Sequence, residues 1–179
     1  MTELTPRIYV ASLSDYNDGR LHGTWIDLAS ITADEAWRAV QDMLARSPDG
    51  DAEEFAIHDY EGFGPYRVHE YASIDHVIEV AHGIAEHGEA FAAWATQVET
   101  REGETLECFW HAYVGTFDSM TDFAEQLLDD LGIDTDPTHW APALIAPYVR
   151  IDIEAFASDL SMDYSVVEAS GGRVHVFET

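Results

Sequence analysis

Lysine is absent from the 179 residues, and all eight basic residues are arginine. They stand against 35 aspartates and glutamates, for a formal net charge of −27 at pH 7. So little positive charge excludes a basic groove for nucleic-acid backbones, and no direct nucleic-acid contact is expected. It also excludes a cationic patch for anionic lipid. One cysteine, Cys108, leaves no internal disulfide, in keeping with a reducing, cytoplasmic setting. No run of ~18 apolar residues is present, so no membrane-spanning helix is expected. The start, MTELTPRIYV, lacks the charged and apolar regions of a secretory leader, and none is expected.

Familiar catalytic motifs are missing too. The chain has no H-E-x-x-H, no C-x-x-C, no P-loop and no G-x-G-x-x-G. DYNDG at 15–19 resembles a calcium loop only faintly: its glycine is one place early, and Ile26 stands where the final Glu belongs. His58-Asp59 and His69-Glu70 are neighbours that point to opposite faces of a strand. His76, His82 and His87 share no i, i+4 face. No metal site, no cofactor and no catalytic residue is therefore expected. A small acidic hydrolase would need a singled-out carboxylate pair, and no pair is singled out. Cys108 lies among apolar residues beside Glu107 with no local base, which predicts an inert core thiol. Trp25, Trp37, Trp94, Trp110 and Trp140 read as core or interface residues.

What is present suffices for a packed core: 46% hydrophobic and 12% aromatic residues. RIYVASL (7–13) alternates and reads as a strand, SDYNDG (14–19) as a turn, and RLHGTWIDL (20–28) as the partner strand. Thr32 with Glu35 makes a capping box, and Ala33, Ala36, Trp37, Val40 and Leu44 carry a helix to about Ala45. EEFAIHDY (53–60) reads as a third strand, and EGFGP (61–65) as a boundary. Ser73 starts a helix with the face Ile74, Val77, Ile78, Ala81, Ile84 and Ala85, and Gly88 ends it. A short helix over 89–99 carries Phe91, Trp94 and Val98. TREGET (100–105) reads as a linker and 106–117 as a strand. A helix runs from Ser119 to Gly132, 134–142 is a loop, and a helix covers about 150–161. A hairpin joins 163–169 to 173–178 through Ser-Gly-Gly. The fold class is α+β.

Charge concentrates along the chain. Residues 1–67 carry −8, residues 68–149 carry −15 with Arg101 as the one base, and residues 150–179 carry −4. Such self-repulsion works against a compact state unless a partner or high salt offsets it. In 119–131 the apolar residues Met120, Phe123, Ala124, Leu127, Leu128 and Leu131 form one stripe. Asp118, Asp122, Glu125 and Asp129, with Asp130 beside them, form a second stripe of the same period. Asp75, Glu79 and Glu86 repeat the arrangement in 74–87. Like charges at i, i+4 cost ~0.2–0.5 kcal/mol per pair. The 32–46 helix avoids that cost by alternating Asp34, Arg38 and Asp42. On the scale of one charge per ~1.7 Å of duplex axis, 27 charges correspond to ~46 Å of DNA. An i to i+4 step of ~6 Å is of the order of the spacing between neighbouring phosphates. These eight acids are thus candidates for a surface that competes with DNA for a positively charged groove. The different reading is an acidic cytosolic domain of a halophile with no mimic role. A KCl titration of folding separates the two, since a halophile protein unfolds in low salt.

RIYVASLSDYNDGRLHGTW (7–25) and EEFAIHDYEG (53–62) resemble the N-terminal signatures of the ArdA antirestriction family: I-Y-V-A-x-L, Y-N-x-G, L-x-G-x-W and, later, A-I-H-D-Y-E. VHEYASI (68–74) and the acidic helix 118–132 are similar more loosely. The resemblance implies an elongated α+β chain of three small domains. Here these would be an N-terminal α+β domain with an antiparallel sheet (1–62), a central helical domain (63–103), and a C-terminal α+β domain with the antirestriction and dimer region (104–179). It implies a non-enzymatic homodimer, carried by mobile genetic elements, that mimics DNA and inhibits type I restriction–modification enzymes at their specificity and methyltransferase subunits. LLDDLG (127–132) resembles the family's antirestriction motif. For the dimer interface the residues offer Trp140, Leu144, Ile145, Tyr148 and Val149, with Ala143, a run too apolar for a free loop. Two chains together would match ~92 Å of duplex on the same scale.

Overall fold

The computed structural model describes residues 4–98 and 105–179. It is a mixed α+β structure with two three-stranded antiparallel sheets. Packing divides the chain into two compact units, residues 1–110 and 111–179. The first unit takes in both the span expected as an N-terminal domain, 1–62, and the described part of the span expected as a central one, 63–98. The linker expected at 100–105 lies outside the described residues except for Thr105.

In the first unit β1 (Arg7–Ser12) runs between β2 (Gly23–Asp27) and β3 (Phe55–Glu61). Register pairs Ile8 with Ile26 and Tyr60, which share a face, while Tyr9 pairs with Trp25 on the other. The expected turn at 14–19 is instead a short helix, α1 (Leu13–Asn17). Ser12 caps it by accepting from the Asp15 backbone N–H. Asp15 itself is wholly buried. Its carboxylate accepts from Arg20 Nε at 2.8 Å and from the Ser47 hydroxyl. No other acid among the described residues is buried.

Helix α2 (Ala33–Ala45) opens with the expected capping box between Thr32 and Glu35. It lays Ala36, Val40 and Met43 against the sheet and against α3 (Ile74–Ala95). Gly88, at φ 62 and ψ −138, splits α3 into two helical segments, as its sequence predicts. Phe91 then folds back over Gly83. Ala85 is exposed rather than on the buried face. The second segment ends at Ala95, leaving Val98 exposed beyond it.

The strand expected over 106–117 is corrected. Thr105–Ala112 is a helix, α4, and only Tyr113–Phe117 is a strand, β4. The physical reason is visible at Thr105 and Phe109, both buried one helical turn apart. Phe109 sits among Phe91, Trp94 and His87, with ring centroids 4.9, 5.5 and 5.0 Å away. The helical turn also carries Cys108 outward. It is exposed, not a core thiol.

In the second unit β6 (Val174–Glu178) lies between β4 and β5 (Tyr164–Glu168). Helices α5 (Met120–Asp130) and α7 (Ile153–Asp163) pack together and bury Phe123, Ala124, Ala157 and Leu160 with Val176. Ser119 caps α5 and Gly132, at φ 69, follows its end. Leu131, expected on the buried stripe, is exposed. The expected loop 134–142 contains one helical turn, α6 (Pro137–Trp140), capped by Asp136 with proline at its start. The last expected helix is shifted to the span of α7 because Asp152 caps it.

Candidate functional site: an acidic face and an apolar segment

The second unit carries thirteen acids and two arginines, and no Lys or Arg lies between Arg101 and Arg150. On α5 the buried and exposed stripes separate as the spacing predicts. Phe123, Ala124 and Leu128 turn inward, while Asp118, Asp122, Glu125, Asp129 and Asp130 are all exposed. Asp122 also belongs to the cap: its N–H donates to Ser119 Oγ, and its carboxylate accepts from the Ser119 hydroxyl. The acidic N-terminal turn is favourable for the helix dipole. Acids at the other end, Asp129 and Asp130, oppose it. Helix stability therefore does not explain their placement.

The acids of α3 are differently placed. Asp75 is half-buried and accepts from Trp37 Nε1 at 3.2 Å. Glu79 is half-buried and accepts from the Thr105 hydroxyl at 3.0 Å. Glu86 is exposed and lies 3.6 Å from His87 Nε2. Two of these three acids thus hold neighbouring elements of the first unit together, a role that the stripe pattern did not reveal. The signal that existed was Trp37, whose indole N–H needs an acceptor when covered.

Beyond α5, Asp134 organises the next loop. It accepts from His139 Nδ1 at 2.8 Å, and its backbone carbonyl accepts from Trp140 Nε1 at 3.1 Å. Asp134 and Asp136 together raise the His139 pKa, chiefly through the hydrogen bond to Asp134. The loop so braced presents the apolar run that follows. Trp140, Leu144, Ile145 and Tyr148 are exposed, Leu144 at 84% and Tyr148 at 85%, while Val149 is half-buried. Large apolar side chains this exposed and this close in sequence mark a surface suited to association.

Among the described residues no group of three or more His, Cys, Asp or Glu side chains could hold a metal ion. No helix among them is long and apolar enough to cross a membrane. No curated protein matches the chain. The family model described as antirestriction protein (ArdA) matches residues 8–175, and the chain belongs to that family.

Proposed function

We propose, from that membership and from the acidic face of α5, that the protein inhibits type I restriction–modification enzymes by occupying their DNA-binding groove. The observation that carries the reading is the α5 face: five exposed carboxylates within thirteen residues and no base among them. Their ~6 Å helical spacing offers a groove built for phosphates the same sign of charge at a similar interval. The attraction is coulombic and belongs to the groove, so no catalytic group and no base code are needed. The acids of α3 contribute less, because Asp75 and Glu79 are engaged within the first unit.

The active form in this reading is a cytoplasmic homodimer. Trp140, Leu144, Ile145, Tyr148 and Val149 form its interface, and a twofold axis makes that patch self-complementary. Apolar contact must there outweigh repulsion between two acidic bodies.

A competition assay tests the proposal. A purified type I methyltransferase is mixed with labelled target duplex and increasing amounts of the protein. The expected result is displacement of the duplex, weakening as salt rises. Binding to the duplex-saturated enzyme without displacement overturns it.

A further inference from the structure

Arg67, like Arg38, Arg150 and Arg173, makes no ion pair among the described residues, although acids outnumber bases more than four to one in the chain. It lines an open groove of about 1000 Å³ on the first unit, between the segment after Phe63 and the two ends of α3. His69 and His76 line the same groove, as does Tyr66, whose hydroxyl lies 3.4 Å from His76 Nε2. The start of α3 opens onto it. Ser73 stands at the N-cap, and its side chain makes no capping bond there.

One acid lines the groove, Glu70, beside Tyr71. The Glu70 charge, with burial, raises the tyrosine's pKa. The Tyr71 side chain is 73% exposed. Ala95 and Val98 add apolar surface on the opposite wall. The groove therefore combines three cation or N–H donors, exposed aromatic faces and one carboxylate acceptor.

We propose that this groove binds a small phosphate ester carrying a planar ring, of the mononucleotide class. Arg67 holds the phosphate as a charge-assisted donor, with ring N–H groups of His69 and His76 as further donors. Tyr71 and Tyr66 supply faces for the ring. Glu70 accepts from an amino or hydroxyl group of the ligand. A polymer fits worse than a single phosphate. Each further phosphate would meet the field of a chain at −27, whereas one phosphate is held within the short range of Arg67. The site uses none of the α5 carboxylates, so it stands or falls apart from the inhibitory reading.

Calorimetric titration of the full chain with AMP tests it, with inorganic phosphate and adenosine as separate arms. AMP is expected to bind once per chain, and each fragment at least ~10-fold more weakly. Arg67→Gln is expected to weaken AMP ~10-fold or more, and Tyr71→Ala to weaken AMP but not phosphate. Arg150→Gln leaves AMP binding unchanged. Both groove side chains are exposed, and circular dichroism melts matching the parent establish that the variants fold. No AMP binding at ~5 mM overturns the proposal, as does Arg67→Gln binding like the parent. Phosphate binding as tightly as AMP overturns the assignment of a ring-bearing ligand.

Discussion

Gly83 and Phe91 compete for one volume: a methyl group at Gly83 would stand 2.2 Å from Phe91 Cζ. The Phe91 ring is fully buried and packs on Phe109, so it has nowhere to move. The absence of a side chain at Gly83 is what lets the segment after Gly88 fold back onto α3. Gly83→Ala gains up to ~1 kcal/mol of helix propensity but overpacks a rigid core at about 1–3 kcal/mol. With the full propensity gain, a net loss of up to about 2 kcal/mol is expected in urea unfolding.

The α5 carboxylates should act as a sum. Exposed charges contribute little singly, so Glu125→Gln or Asp129→Asn is expected to weaken inhibition about 2-fold. Neutralising Asp118, Asp122, Glu125 and Asp129 together is expected to weaken it roughly 10- to 30-fold, close to the product of the single effects. The assay is inhibition of methyltransferase activity, with circular dichroism to check the fold. Abolition by one change, with the fold intact, contradicts a distributed surface.

Asp15 links stability to pH. The Ser47 hydroxyl, Arg20 and Ser12 together hold its carboxyl down, from 3.8 to about 2, against the opposing effect of burial. A depressed folded-state pKa means that its contribution is complete above the unfolded value and is lost as pH falls from about 4 toward 2. Asp15→Asn is expected to lower the urea midpoint at neutral pH and to flatten its dependence between those two values. An unchanged midpoint at neutral pH counts against the network.

His139 should titrate above an ordinary histidine, since Asp134 and Asp136 favour its charged form. Its ion pair is complete below the ordinary histidine value, where Asp134 is still ionised, and is lost as pH rises through that raised value. Proton NMR of the imidazole is the measurement. Asp134→Asn is expected to return the titration toward the ordinary value, and added salt to shift it in the same direction because the pair is exposed.

Self-association through 140–149 gives a mass near twice 20.0 kDa by light scattering at low micromolar concentration. Leu144→Asp and Tyr148→Asp place charge in the apolar patch and are expected to yield monomer. Salt should strengthen the dimer by screening while weakening target binding. A parent chain of 20.0 kDa in moderate salt removes the dimer.

Legibility in the sequence followed the range of the interactions. The capping box at Thr32 and Glu35, the two-residue alternation in β1 and the C-terminal hairpin are local, and all could be read directly. Helix α1 could not, because the Asp15 carboxylate that it carries is held by Ser47, 32 residues away. The aromatic run 106–117 reads as a strand in isolation. Its helical half depends on Phe91 and Trp94 covering Phe109. The same limit applies to the acidic residues. On α5, two stripes of one period show which side faces out. On α3, partners 38 and 26 residues distant claim Asp75 and Glu79.

Asp15 is the one buried acid among the described residues. On the outer face of α5 the carboxylates hang outside the packed interior, so swapping Glu125 for Asp, or Asp129 for Glu, asks nothing of the core. Selection on such a surface weighs a total rather than an address. The acids of that face can therefore change position while the scaffold beneath stays as it is.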